Sequence, residues 1–211
     1  MLWAAGVSAL CLLVCLPLCM HYRSKLQYGL AVCFKLLGTL CAASMVLIAA
    51  CRLDQRCWIL FGGMMLHAAA DVLLEYSLPL GAGFFLGGHI CYICFFTGLF
   101  PVSSVHLICA LCLLAICAFF FYRMRSAIGK RMPLFAVYGG VLSIMSACAL
   151  GGFTGQSLQG ILIAAGGALF FISDAMIFRR TLVPCGKGTD WFVLITYYSA
   201  QLLFAVSCLL M

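Results

Sequence analysis

Five acids occur in 211 residues, and three of them, Asp71, Glu75 and Asp174, fall inside long apolar stretches, as do Lys35, His67 and His89. A charged side chain at mid-bilayer costs about 2.5–3.5 kcal/mol on insertion scales, so such groups mark a cavity, an ion path or a reaction site. Lys35 has a stem long enough to reach the headgroups. Asp71 and Asp174 do not, which makes them the informative pair. Two intramembrane carboxyls suit general acid–base chemistry or proton-coupled transport. His67, Asp71 and Glu75 recur at i, i+4 and i+8, which places them on one helical stripe. A metal hydrolase would use such a stripe, yet no metal-binding motif matches it. Neither a metal nor a cofactor is expected. His67 reads as an ordinary core histidine, and Glu75 as a supporting residue near enough to the interface to be wet.

Depth adds to this. Lys35, Asp71, His89, Tyr138, Asp174 and Tyr197 each lie four to seven residues from the same end of their apolar stretches. At 1.5 Å per residue that is roughly 6–11 Å from one face of the membrane. Tyr92 shares a helical face with His89, and Gln201 shares one with Tyr197. The expected arrangement is a polar pocket inside a bundle, opening toward one leaflet and walled by apolar side chains.

The elements that must position these groups follow from composition. The chain is 66% hydrophobic and 8% charged, with a mean hydropathy of +1.21. Soluble domains carry roughly 25% charge, so a water-soluble globule is excluded. Spans of about 20 apolar residues divide the chain into eight, at 2–20, 28–51, 58–76, 83–101, 104–122, 133–152, 158–178 and 190–211. The fold class is therefore an all-α integral membrane protein, a single eight-span domain over residues 1–211 with short linkers. Charged runs and turn-formers separate the spans, Ser77-Leu78-Pro79-Leu80-Gly81 among them. The N-terminal stretch reads as a first span, not a removed signal.

The formal charge of +7 is then topology, not a nucleic-acid footprint. Odd-numbered linkers carry nine Lys and Arg and even-numbered ones two. By the positive-inside rule the odd linkers face the cytoplasm and both termini face away from it. The fifteen cysteines are scattered through apolar runs and read as small hydrophobes. A faint echo links spans 3 and 7, where Gly63 precedes Asp71 by eight residues and Gly166 precedes Asp174 by eight. Tyr28-Gly29 and Tyr138-Gly139 extend it to spans 2 and 6.

These residues, in this order, resemble the YhhN-like family of eight-span membrane proteins, whose characterised members are lysoplasmalogenases. The likeness rests on Lys35, Ala70-Asp71-Val72-Leu73-Leu74 and Gly88-His89-Ile90-Cys91-Tyr92. It continues through Gly167 to Ser173-Asp174 and Tyr197-Tyr198-Ser199-Ala200-Gln201. It covers the chain from about residue 28 onward. Two departures stand out: Leu36 follows Lys35 where the family usually has proline, and Ala70 precedes Asp71 where it has glycine.

The resemblance implies hydrolysis of the vinyl ether of lysoplasmalogen to a fatty aldehyde and a glycerophospho-alcohol. Asp71 and Asp174 would be acid and base, in either assignment. Lys35, Glu75, His89, Tyr92, Tyr138, Ser173, Tyr197, Tyr198 and Gln201 would support them or bind substrate. The partners implied are the lysophospholipid and the surrounding membrane lipids, in the inner membrane if the source is bacterial. A proton-coupled transporter using the same carboxylates is the competing reading.

Overall fold

The computed structural model describes residues 2–211, and among these every regular element is helical. The first rod, α1, runs without a break from Leu2–Leu10 through a π-helical turn, Cys11–Cys15, into Leu16–Ser24. Pro17 follows that wide turn. A proline ring inside a helix clashes with the carbonyl four residues back and leaves it without a donor, and a local π-turn relieves both. The other rods are α2 (Tyr28–Arg52), α3 (Cys57–Leu73), α4 (Leu78–Leu99), α5 (Ser104–Ile128), α6 (Met132–Leu150), α7 (Leu158–Leu182) and α8 (Lys187–Cys208). With leucine in place of proline after Lys35, α2 is continuous over its 25 residues.

Among the described residues six helical runs are long and apolar enough to cross a membrane, and α3, at 17 residues, is slightly shorter. One of the six, Ser104–Gly155, is 52 residues long and contains a reversal. Gly129, at φ +55°, ends α5 in a backbone region open chiefly to glycine. Beyond it, Cys117 meets Gly139 and Phe121 meets Phe135, so α5 and α6 form an antiparallel hairpin.

Two element ends differ from the sequence reading. Helix α4 begins at Leu78, five residues before the expected start, with Pro79 in its first turn. Proline is tolerated there because the first-turn N–H groups have no helical partner. Helix α3 ends at Leu73, so Glu75 lies in the turn beyond it and the expected i, i+4, i+8 stripe stops at Asp71.

The packing is that of a membrane bundle. Large apolar side chains face outward, with Leu13 74%, Phe119 68% and Leu107 62% exposed, while twelve polar or charged residues among those described are buried inside. Helix α5 is the most peripheral, burying only His106, Phe121 and Ile128. Arg23 of α1, Glu75 before α4, and Arg180 and Asp190 flanking the α7–α8 linker gather at one end of the bundle. Arg56 and Gly98 meet at the other, where Met211 also contacts Cys57. Odd and even linkers thus occupy opposite ends.

Candidate active site

A set of buried polar groups, joined by the partly buried Lys35, assembles around Asp71 and Asp174, drawn from α2, α3, α4, α6, α7 and α8. On α2, Lys35 and Thr39 are one turn apart and face the same way. Lys35 Nζ lies 3.0 Å from Asp71 Oδ1, and Thr39 Oγ1 donates to Asp71 Oδ2 at 2.8 Å. Tyr197 of α8 donates to the same Oδ2 at 3.1 Å. Asp71 is 1% exposed, so it is a buried carboxylate with one cation and two hydroxyl donors.

Asp174 is 2% exposed and sits in unlike company. Tyr138 of α6 donates to its Oδ2 at 2.7 Å. His89 Nε2 of α4 comes within 3.4 Å of that atom without forming an aligned hydrogen bond. No Lys or Arg pairs with it among the described residues. Its second oxygen, Oδ1, is buried without a partner, as is His89 Nε2. Buried polar atoms are nearly always satisfied, so two neighbouring exceptions ask for an explanation.

Between the two acids runs a chain of fully buried side chains. Tyr92 donates to Gln201 Oε1 at 2.6 Å, and Gln201 Nε2 lies 3.1 Å from His67 Nδ1 and 3.2 Å from the Tyr197 hydroxyl. His67 Nε2 is 3.1 Å from His89 Nδ1. Phe85 and Phe170 enclose the histidines, with ring centroids 5.0 Å and 5.3 Å from that of His67. Close helix approach makes room for these rings. A Cβ on Gly38 would stand 2.7 Å from the Tyr198 ring, and one on Gly88 would overlap the imidazole of His67.

The space beside the acids is divided. Asp174 and Tyr138 line an apolar cavity of about 40 Å³ with Ala82, Leu134, Phe135 and Phe178. Asp71, Lys35 and Tyr197 line a polar one of about 30 Å³, together with Arg23, Arg180 and Asp190. Leu74, Phe85 and Ile177 border both, and so form the partition. The sequence led to one shared pocket. Two adjoining chambers stand there instead, because three apolar side chains fill the space between the acids. Each chamber has room for about one water, whose share of liquid volume is roughly 30 Å³.

A family model described as the YhhN family matches residues 30–208. The chain belongs to the YhhN family. No curated protein and no solved structure matches it.

Against the residues singled out in the sequence, this YhhN-family chain gathers Lys35, Asp71, His89, Tyr92, Tyr138, Asp174, Tyr197 and Gln201 into the network. Tyr198 acts at one remove, donating to the backbone carbonyl of Lys35 at 2.8 Å. Two expected supporting residues lie elsewhere. Ser173 is buried but donates to the Val193 carbonyl at 3.1 Å, tying α7 to α8. Glu75 is in the exposed turn and pairs with Arg23 at 3.5 Å. Thr39 and the central position of His67 escaped the sequence reading. Both carried a spacing signal, Thr39 one turn after Lys35 and His67 one turn before Asp71.

Proposed function

We propose that this protein is a membrane-embedded hydrolase that cleaves the vinyl ether of lysoplasmalogen, with Asp174 as general acid and Asp71 as general base. Family membership supports the reaction class. The observation that carries the assignment is the inequality of the two carboxyls: Asp71 has a cation and two hydroxyl donors, Asp174 has no cation and one oxygen free. Two carboxyls in unlike settings take acid and base roles.

The chemistry follows from the bond. A vinyl ether resists base and yields to acid, because protonating the alkene carbon distal to oxygen leaves an oxocarbenium ion. Asp174 supplies that proton. Asp71 takes a proton from the water that adds to the carbon bearing oxygen, and the resulting hemiacetal collapses to fatty aldehyde and glycerophospho-alcohol. One water is consumed, and the proton accepted by Asp71 balances the one given by Asp174. Glycoside hydrolysis divides labour between two carboxyls in the same manner, around a similar cation; that parallel concerns mechanism, not fold.

The two chambers match the two ends of such a lipid in polarity, and each must widen from its one-water size to admit them. The alkenyl chain enters on the apolar side, beside Asp174. The phosphate end stays on the polar side, where Arg23, Lys35 and Arg180 lie. The vinyl ether then crosses the partition of Leu74, Phe85 and Ile177, whose side chains must swing aside to admit it. On this reading the eight rods are eight crossings, with the Arg23, Glu75 and Arg180 end in the cytoplasm and both termini opposite. The decisive experiment incubates the detergent-purified chain with alkenyl, alkyl and acyl lysolipids. Free aldehyde from the alkenyl lipid alone supports the proposal. Its absence, with proteoliposome flux of a small molecule in its place, favours a transporter.

A further inference from the structure

The hydrogen bonds between the two acids have a direction that can be worked out from one end. Opposite Lys35, Asp71 is an anion and accepts only, so the Tyr197 hydroxyl at 3.1 Å donates to it. That hydroxyl has one hydrogen, and its contact with Gln201 at 3.2 Å must therefore be one it accepts. This places the amide nitrogen of Gln201, not its oxygen, toward Tyr197. The oxygen is left for the hydroxyl of Tyr92 at 2.6 Å. The same nitrogen faces His67 Nδ1 at 3.1 Å, so Nδ1 accepts. A neutral imidazole that accepts on one nitrogen carries its proton on the other. His67 Nε2–H accordingly donates to His89 Nδ1 at 3.1 Å, and His89 carries its own proton on Nε2. That N–H is one of the two neighbouring unpartnered buried groups, and it lies 3.4 Å from Asp174.

We infer that the Lys35–Asp71 ion pair, acting through Tyr197, Gln201 and His67, fixes His89 as a neutral imidazole with its Nε2–H beside Asp174. Gln201 and His67 are thereby positioning residues of the Asp174 site, although neither touches that carboxyl. Gln201 is the branch point. Its two amide hydrogens serve the two halves of the site, and Tyr92 holds the amide against rotation. The unpartnered His89 N–H and Asp174 Oδ1 are then a vacant donor and a vacant carboxyl oxygen side by side, placed for one oxygen-bearing group of a ligand. The tautomer assignment stands on hydrogen-bond geometry alone; the positioning role rests on the hydrolase reading.

The test separates these two parts. Nitrogen-15 spectra of the full-length chain, labelled at histidine, distinguish protonated from unprotonated ring nitrogens. His67→Gln and His89→Gln samples assign the signals. The expected result is a neutral Nε2–H form for both residues. A proton on Nδ1 of either, or an imidazolium, overturns the assignment whatever the activity. Gln201→Glu, close in shape but unable to donate from a carboxylate, should invert the chain by moving the His67 proton to Nδ1. With it, kcat for aldehyde release should fall at least about tenfold while KM stays within about twofold, a loss within the range of a mispositioned acid. An inverted His67 with unchanged kcat overturns the positioning role. Gln201→Leu gives a second variant without a carboxylate; it should free the His67 tautomer and lower kcat, and a retained single tautomer counts against the chain.

Discussion

Lys35 Nζ stands 3.0 Å from Asp71 Oδ1 with the lysine side chain 13% exposed and the aspartate 2%, so the two charges meet almost out of reach of water. Removing one member of a buried pair strands the other charge, at a cost of about 3–5 kcal/mol. Replacing both with neutral groups often restores much of the loss. Lys35→Met should therefore lower the melting temperature in detergent more than Lys35→Met combined with Asp71→Asn. A double variant less stable than the single one would mean that the pair is not the electrostatic unit of this end of the bundle.

Loss of either carboxylate should be severe for turnover. Asp71→Asn and Asp174→Asn keep size and shape, and general acid–base catalysis contributes about 10²–10⁴-fold. Each should cut aldehyde release by at least about 10². Near-native release by either purified variant would remove that residue from the mechanism.

Tyr138 donates the hydrogen bond, at 2.7 Å, that orients Asp174. Phenylalanine fills the same volume without the hydroxyl, so Tyr138→Phe tests orientation apart from packing. A hydrogen bond between neutral groups contributes about 0.5–1.5 kcal/mol to stability, so the melting temperature should fall by only a few degrees, while the loss of the acid's orientation should cut turnover at least about tenfold. Unchanged turnover would leave Asp174 held by packing alone.

Glu75 is expected to be silent. It lies past the end of α3 and meets Arg23 at 3.5 Å in an exposed pair. Pairs of this kind contribute about 0–1 kcal/mol. Glu75→Gln should leave stability within about 1 kcal/mol and turnover within about twofold, measured by thermal melts and aldehyde release.

The contrast between Glu75 and Asp71 marks how far the sequence carries. Depth along a helix depends only on rise per residue and on where the apolar run stops. For that reason Lys35, Asp71, His89, Tyr138, Asp174 and Tyr197 could be placed at one level before any contact was known. Helix ends are a different matter. The i, i+4, i+8 pattern through Glu75 is blind to the early start of α4 at Leu78, which pulls the chain into a turn after Leu73. Rotation about the helix axis is also unread, which is why Ser173, next to Asp174, points to the Val193 carbonyl instead. The partition of Leu74, Phe85 and Ile177 was hidden for the same reason, since apolar residues carry no signal of which gap they fill.

The faint repeat has a structural counterpart, though only in part. Asp71 is met by the helix before it, through Lys35 of α2, and by Tyr197 of α8. Asp174 is met by the helix before it, through Tyr138 of α6, and by His89 of α4. A four-helix offset carries each set of helices onto the other. Gly63 and Gly166 play matching roles as well, seating the rings of Tyr92 and Phe204 from the helix that follows. Tyr28 does not take part, being 51% exposed, so the Tyr-Gly echo of spans 2 and 6 has no counterpart in the site.

Gly88→Ala probes the core of the site without changing any polar group. The imidazole of His67 occupies the volume a Cβ at residue 88 would take, and the Gly63 carbonyl stands 2.9 Å from that position. Backbone cannot yield there, so the ring must. Overpacking of this sort costs about 1–3 kcal/mol, and here the displaced group is the one that carries the proton order from Gln201 to His89. The variant should fold with a lowered melting temperature and lose turnover out of proportion to it. Cooling below the new midpoint should restore folding without restoring turnover. Full turnover at low temperature would show that His67 fills space in this bundle and does nothing more.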